Sequence, residues 1–233
     1  MTELLYLRDA YLRHFEASVV AYRDDAVALD RTAFFATGGG QPHDTGELGR
    51  AAVVDVRKDG DLVWHTVDGP IPSEGETVQC SVDWDRRHAL MRTHTALHIL
   101  CGVIWQRWST PVTGGNMEPL SARMDFEFDP LPEGFGVEVE RLVNDAIAAD
   151  HPIEVTFLAR DTALKDEDLI RTKVSLIPES VPEIRVVDIV GFDKQADGGT
   201  HVRSTGEVGR VAVVKTESKG KGNKRIRLRV EDA

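Results

Sequence analysis

The chain has 233 residues, 41% of them hydrophobic, and its 28 basic and 39 acidic side chains give a net charge of −11. This acidic balance argues against a protein that coats nucleic acid nonspecifically. The absence of any run of about 18 apolar residues excludes a transmembrane helix. Two cysteines, Cys80 and Cys101, are too few for a disulfide framework. The first residues lack the basic and apolar segments of a signal peptide, so we expect a cytoplasmic protein.

The chain up to residue 82 has the pattern of β-structure. Short runs of apolar and β-branched residues are separated by Gly, Asp and Pro turns. The predicted strands cover residues 15–22, 26–29, 51–56, 61–66 and 77–82. Short strands of this kind indicate a small barrel or a curled sheet.

Two helices follow. Over residues 84–108 the period is helical, since Leu90, Leu97 and Ile104 recur every seven residues. A second helix is predicted over residues 136–149. Its apolar stripe consists of Val137, Val139, Leu142, Val143, Ala146 and Ile147.

Strand-like runs surround these helices. They cover residues 122–128, 153–158, 184–190, 208–214 and 225–230. Because strands and helices do not alternate regularly, we predict an α+β fold of helices on a mainly antiparallel sheet rather than a doubly wound sheet. The predicted domains are 1–86, which is β-rich, and 87–233.

A pair of histidines marks the first helix. His94 and His98 are four residues apart, so on a helix they share one face with β-carbons about 6 Å apart. Leu97 and Cys101 lie on the same face and would form an apolar wall beside both rings. Both imidazoles can therefore reach one metal ion.

A second segment, Asp197-Gly198-Gly199-Thr200-His201, adds two more ligands. The glycine pair predicts a tight turn, which lets the side chains of Asp197 and His201 converge. Three imidazoles and one carboxylate favour a single zinc ion per chain, with iron, nickel or cobalt as alternatives. Cys101 is the alternative to Asp197 as fourth ligand, although free cysteines are commonly buried in cores.

A basic segment lies near the C-terminus. Its cationic residues are Lys215, Lys219, Lys221, Lys224, Arg225, Arg227 and Arg229, interrupted by Glu217. Taken by itself, this pattern is typical of a solvated hairpin whose charges keep an edge strand soluble.

The two histidine segments resemble those of a known family. Arg92-Thr93-His94-Thr95-Ala96-Leu97-His98 is similar to the His-x-x-x-His motif of the alanyl-tRNA synthetase editing domain, and residues 195–202 resemble its Cys-Gly-Gly-Thr-His segment. Residues 29–35, Gly38-Gly39-Gly40-Gln41-Pro42 and Asp44-Thr45-Gly46 resemble the glycine-rich motif of the free-standing relatives called AlaX. The ending over residues 219–226 is similar too, so the resemblance covers essentially the whole chain.

The resemblance implies a trans-editing hydrolase. Such proteins deacylate tRNA(Ala) that carries serine and, in some members, glycine. The implied fold is an N-terminal β-barrel like that of translation factors, followed by a zinc-binding editing domain with His94 and His98 at its catalytic centre. Asp197 departs from the family, which usually has cysteine there, so the resemblance supports the fourth ligand less firmly than the three histidines.

Substrate discrimination suggests further site residues. Serine differs from alanine by one hydroxyl, so a pocket with a hydroxyl partner can favour serine. Thr32 is our candidate partner and Gln41 a second one. The backbone of Gly38, Gly39 and Gly40 would allow close approach to a ligand.

Contacts to the tRNA phosphates require cations. Given the resemblance to a tRNA-editing family, we predict that the tRNA phosphates are bound by Lys219, Lys221, Lys224 and Arg225. Arg86, Arg87 and Arg92 near the histidine helix would join them.

The sequence is compatible with several functions. The leading function is that of an aminoacyl-tRNA hydrolase. We expect it to be a monomer or weak dimer and to have no membrane partner. The others are a catalytically silent tRNA-binding protein, a metal-dependent hydrolase of small esters or amides, and an editing hydrolase for another small aminoacyl-tRNA. The basic C-terminal segment counts against the small-ester hydrolase.

Overall fold

The structure is a computed structural model that describes residues 1–128, 130–166, 169, 182–220 and 222–231. The chain forms two compact units, Met1–Ala89 and Leu90–Ala233. The sequence pattern places this boundary between residues 86 and 87. No helix among the described residues is long and apolar enough to cross a membrane.

The first unit consists mainly of antiparallel strands. These are β1 (Glu3–Leu4), β2 (His14–Arg23), β3 (Ala26–Leu29), β4 (Arg31–Thr32), β5 (Gly46–Leu48), β6 (Ala51–Asp59), β7 (Leu62–Asp68) and β8 (Thr77–Val82). Six of them form a closed barrel in the order β2-β3-β7-β6-β5-β8, while β1 and β4 form a short parallel pair. The likeness of this barrel to translation factors stays a prediction.

The barrel interior follows from the alternation along its strands. On β2, Phe15, Ala17 and Val19 are buried, whereas His14 and Glu16 are exposed. The buried residues of β2 pack with those of the other barrel strands in one hydrophobic core.

Within the described part of residues 84–231, three helices and seven strands follow in chain order. They are α1 (Trp84–Trp108), β9 (Val112–Glu118), β10 (Ser121–Glu127), α2 (Phe135–Ala148), β11 (Ile153–Ala159), α3 (Arg160–Ala163), β12 (Glu183–Ile189), β13 (Asp193–Ala196), β14 (Arg210–Ser218) and β15 (Asn223–Glu231). The strands form two antiparallel sheets, ordered β14-β15-β10-β9 and β11-β12-β13. The predicted α+β class with mainly antiparallel sheet is confirmed.

The two long helices differ in what they bury. In the second unit, α1 is buried on most of its surface, and Leu90, Leu97 and Ile104 belong to its core side as predicted. Helix α2 is amphipathic and packs on β14, where the Asn144 amide pairs with the backbone N–H and C=O of Val211. Val137, predicted in its apolar stripe, is 80% exposed because it is out of phase with the buried positions.

Candidate metal centre

Helix α1 places His94 and His98 one turn apart. Their rings meet edge to face with centroids 5.0 Å apart, and each residue is only 7% exposed. Leu97 and Cys101 are buried beside them, as the sequence predicts. The helix therefore presents two imidazoles at a site largely closed to solvent.

Asp197 is held in place at the end of β13. Its N–H donates to the carbonyl of Arg185 at 3.1 Å, and its own carbonyl accepts from Arg185 Nη1 at 2.9 Å. The Asp197 carboxylate accepts the N–H of Gly199 at 2.6 Å, which closes a local turn. The prediction that Gly198 and Gly199 need conformations special to glycine is wrong, since neither has a positive φ. The carboxylate of Asp197 makes the turn instead.

His201 completes the group. Its ring centroid lies 4.3 Å from that of His94 and 4.5 Å from that of His98. Its Nε2 is 3.0 Å from Asp197 Oδ2, and Asp197 Oδ1 is 3.6 Å from His94 Nε2 and 4.0 Å from His98 Nε2.

The four side chains fit a metal ion. One ligand atom from each lies within 4.8 Å of all the others. In a tetrahedral site with metal–ligand bonds of about 2.0–2.1 Å, the donor atoms are about 3.3 Å apart. The observed spacing needs only small movements to reach that geometry. The prediction that these four side chains converge from segments 94–98 and 197–201, which lie a hundred residues apart, is confirmed.

The protonation states also suit a metal. Burial lowers the pKa of His94, His98 and His201, to about 4 for His98. Burial opposes ionisation of Asp197, yet the adjacent His94 and the hydrogen bond from His201 hold the pKa of its carboxyl well below its usual range. Near pH 7 the site therefore has neutral imidazoles and one carboxylate, the forms that bind metal ions.

The geometry favours Asp197 over Cys101 as the candidate fourth ligand. Among the described residues, the group of converging ligand atoms contains Asp197 and does not contain Cys101. Cys101 is a buried free cysteine, 2% exposed, in the core around α1. Cys80 is likewise buried, and burial raises the pKa of its thiol to about 12.

Two residues at the site were not singled out in the sequence. Arg185 is 7% exposed, and its Nη1 lies 3.7 Å from Asp197 Oδ2. Thr95 is fully buried and its hydroxyl lies 3.1 Å from Nδ1 of His201. The position of Thr95, three residues before His98 and on the same side of the helix, is the signal that would have found it. Nothing in the sequence around Arg185 points to the site.

Thr32 lies in the first unit and its hydroxyl is fully buried. It accepts the N–H of Phe34 at 3.1 Å and lies 2.9 Å from Nε2 of His65. His65 Nδ1 faces the Val27 carbonyl, which can only accept, so Nδ1 carries the proton and Nε2 accepts from Thr32. These partners fix the orientation of the Thr32 hydroxyl, while its contact with a substrate stays a prediction.

The glycine-rich segment forms a tight turn. Gly38 and Gln41 exchange both backbone hydrogen bonds, and Gly39 and Gly40 between them have φ of 59° and 87°. Positive φ at both central positions is the type I′ geometry, which favours glycine. The turn is exposed at Gly38 and Gly39, whereas Gln41 is buried. The substrate contacts predicted for these residues remain untested.

The predicted tRNA-binding cations have varied environments. Lys219 is exposed, whereas Lys224 donates to Ser218 at 3.2 Å. Arg225 makes two hydrogen bonds to Asp125, at 2.7 and 2.8 Å. Lys221 lies outside the described residues. The RNA contacts of all four stay predictions.

The three arginines predicted near the histidines lie on α1 itself and are engaged within the protein. Arg92 donates to the carbonyls of Val208 at 2.8 Å and Glu231 at 2.7 Å. Arg86 donates to the His43 carbonyl at 3.1 Å. The idea that Arg87 offers its charge to RNA is wrong, because Arg87 is fully buried.

Comparison with known proteins places the chain in a family. Residues 184–227, which include Asp197 and His201, match the family model described as the threonyl and alanyl tRNA synthetase second additional domain. Residues 5–86 match the model of class II (A) tRNA synthetases. The chain is 36% identical to the alanyl-tRNA editing protein AlaX-M of Methanosarcina barkeri, over the full length of both. The chain belongs to the AlaX-M family of alanyl-tRNA editing proteins.

Other relatives show the same relationship. The AlaX-M protein of Saccharolobus solfataricus is 37% identical, with 97% of this chain and 98% of that protein covered. The alanine–tRNA ligase of Pyrobaculum calidifontis is 40% identical over 93% of this chain, but the match covers only 25% of the ligase. An AlaX-M chain thus resembles one part of a much longer enzyme, as the sequence motifs predict.

Proposed function

We propose that this AlaX-M protein is a metal-dependent hydrolase that deacylates mischarged tRNA(Ala). Serine is the proposed principal amino acid and glycine the second. One observation carries the proposal: a chain of the alanyl-tRNA editing family holds three buried imidazoles and one carboxylate with ligand atoms within 4.8 Å of one another. Zinc is the proposed metal, since nitrogen and oxygen ligands in this number are typical of zinc sites.

The reaction would be hydrolysis of the ester between the amino acid and the terminal ribose. Water adds to the ester carbonyl carbon, the bond to the ribose oxygen breaks, and the tRNA regains its hydroxyl. A bound zinc ion would supply Lewis acidity at this centre. His94, His98, His201 and Asp197 would hold it.

The residue after His94 limits the choice of general base. In His-Glu-x-x-His hydrolases a glutamate follows the first histidine and acts as base, whereas position 95 here is threonine. The Thr95 hydroxyl is directed to His201. The helix therefore offers no carboxylate base beside His94. This is compatible with the proposed reaction, because hydrolysis of an activated ester requires less assistance than hydrolysis of an amide.

We propose Thr32 and Gln41 as the residues that distinguish serine from alanine. A serine hydroxyl would gain a partner that an alanine side chain leaves unpaired. Support comes from the fixed orientation of the Thr32 hydroxyl, whose oxygen accepts the N–H of Phe34 and whose O–H donates to Nε2 of His65. The glycine turn Gly38–Gln41 would let backbone approach the substrate closely.

For the tRNA phosphates we propose the lysines of the β14–β15 hairpin. Lys219 is exposed at the end of the hairpin, and Lys224 is partly exposed nearby on β15. Arg225 is the weakest member of this group, because its side chain already pairs with Asp125.

One experiment tests the proposal. The purified protein is incubated with tRNA(Ala) charged with serine, glycine or alanine, with and without a chelator. We expect rapid release of serine, slower release of glycine, little release of alanine, and loss of all release with chelator. Binding of tRNA without release would favour a silent tRNA-binding homologue. Release from a different small aminoacyl-tRNA, with none from Ser-tRNA(Ala), would assign another substrate.

A further inference from the structure

Thr95 joins helix α1 to the segment that carries His201. It lies on α1 between the ligands His94 and His98 and is fully buried. Its hydroxyl oxygen accepts the N–H of Val202 at 3.3 Å and is 3.1 Å from Nδ1 of His201. One hydroxyl therefore contacts both the ring of His201 and the backbone next to it.

The two nitrogens of the His201 ring have different partners. Nδ1 faces the Thr95 hydroxyl, whereas Nε2 faces Asp197 Oδ2 at 3.0 Å. A neutral imidazole has one proton, so one of its nitrogens donates a hydrogen bond and the other accepts. The carboxylate of Asp197 can only accept, so without a metal ion the proton belongs on Nε2 and Nδ1 accepts from Thr95.

Metal binding requires the opposite tautomer. When Nε2 is the ligand atom, its lone pair is used and the ring proton must be on Nδ1. Nδ1 then donates to Thr95, whose oxygen has two lone pairs and can accept from both Nδ1 and Val202. Only a group that both donates and accepts can serve the ring in both states, and a hydroxyl does so by rotation.

We propose that Thr95 is a positioning residue for the metal centre. Its hydroxyl holds the His201 ring in the ligating orientation and changes from donor to acceptor when the ring proton moves from Nε2 to Nδ1. This inference rests on the metal site of the proposed function. Hydrogen bonds to the second nitrogen of a ligating histidine are worth about 10–100-fold in metal affinity.

Zinc affinity, measured by competition with a chromophoric chelator, tests the inference. Thr95→Val removes the hydroxyl and nearly keeps the side-chain volume, while Thr95→Ser keeps the hydroxyl. Thr93→Val is the matched control, because Thr93 is equally buried on the same helix and accepts the N–H of Leu120 at 2.9 Å. We expect Thr95→Val to weaken zinc binding about 10–100-fold, Thr95→Ser to restore most of it, and Thr93→Val to leave it unchanged.

A second measurement needs no substitution. Ring-15N NMR of the zinc-loaded wild-type protein should show the His201 proton on Nδ1, in slow exchange with water. Equal zinc affinity of Thr95→Val and Thr93→Val, or a His201 ring protonated on Nε2 in the loaded protein, would overturn the inference while the metal centre stands. Absence of zinc binding by the wild-type protein would overturn both the metal centre and the inference.

Discussion

Arg87 Nε lies 3.0 Å from both carboxylate oxygens of Asp44, and neither side chain is exposed. The guanidinium also donates to the carbonyls of Ala10 and Ala33, and Asp44 accepts the N–H of Phe35. The pair therefore connects the start of α1 with both ends of the segment that contains the glycine turn. Because every strong donor and acceptor in this pair has a partner, the buried charges are compensated.

Removing one member of this pair should destabilise the first unit strongly. We expect Arg87→Met to lower the free energy of unfolding by about 3–5 kcal/mol, since Asp44 is left as an uncompensated buried charge. Chemical denaturation measures the change. Arg23→Met is the control, because the Arg23–Asp59 pair is exposed and should contribute under about 1 kcal/mol. Equal, small effects of both substitutions would show that the buried pair is not important for stability.

The carboxylate of Asp197 should determine the metal affinity. Asp197→Asn is expected to weaken zinc binding, whereas Asp197→Cys should tighten it, because thiolate is a softer and stronger zinc ligand. Chelator competition measures both, and cobalt absorption would show a sulfur ligand only in the cysteine variant. Asp188→Asn on β12 should leave affinity unchanged. Wild-type affinity in Asp197→Asn would exclude this carboxylate as a ligand.

His65 should make the stability of the protein depend on pH. Burial lowers the pKa of His65 from 6.5 to about 4, so between these values the unfolded chain binds a proton that the folded chain does not. The free energy of unfolding should fall as the pH falls from 6.5 towards 4, by about 3 kcal/mol from this residue. His65→Gln should show a shallower decline in denaturation at pH 7, 6 and 5. The buried metal-site histidines contribute equally to the pH dependence of both proteins, so any difference between the two comes from His65. Parallel plots of unfolding free energy against pH for the wild type and His65→Gln would contradict the prediction.

Substitution of Thr32 should slow the release of serine from tRNA(Ala) and not the release of glycine. Thr32→Val is expected to lower kcat/KM for Ser-tRNA(Ala) about tenfold, the equivalent of one hydrogen bond of ~1.4 kcal/mol. Glycine has no hydroxyl, so release from Gly-tRNA(Ala) is the internal control. Thr37→Val is a second control: it removes the hydroxyl of another threonine of the first unit, one that contacts His43 and is not proposed to contact the substrate. An equal loss with both substrates would indicate a structural role for Thr32.

The hairpin lysines should affect tRNA binding rather than the chemical step. Neutralising Lys219 and Lys224 together is expected to raise KM for Ser-tRNA(Ala), reduce its salt dependence and leave kcat nearly unchanged. Lys58→Ala, which removes an exposed lysine of β6, is the control. Unchanged kinetics at moderate salt would remove these lysines from the tRNA-binding surface.

Local periodicity made most of the fold predictable. Helix α1 extends over the predicted residues 84–108, because its apolar repeat is local and long. Strand β9 could not be predicted in this way, since Gly114-Gly115-Asn116 has low β-propensity and no alternation. It is a strand because β10 pairs with it, and such pairing is not visible in the segment itself.

The site was predictable for similar reasons, but only in part. The four-residue spacing of His94 and His98 shows their common helix face, whereas their meeting with His201 depends on a long-range contact that spacing does not encode. The chemistry of the combined set, three imidazoles and one carboxylate, predicted that link, and the family resemblance then supported it. Helical spacing points to Thr95 as a neighbour of the site, but its proposed role and the position of Arg185 depend on which atoms face each other in the folded structure.

The proposed activity depends most on the metal, and zinc titration of chelator-treated protein tests this dependence directly. The measured quantity is the rate of serine release from Ser-tRNA(Ala) as zinc is added back. We predict no release without metal and full recovery that saturates at one zinc per chain. Undiminished release by metal-free protein, or no recovery with any divalent metal, would show that the protein is not a metal-dependent hydrolase.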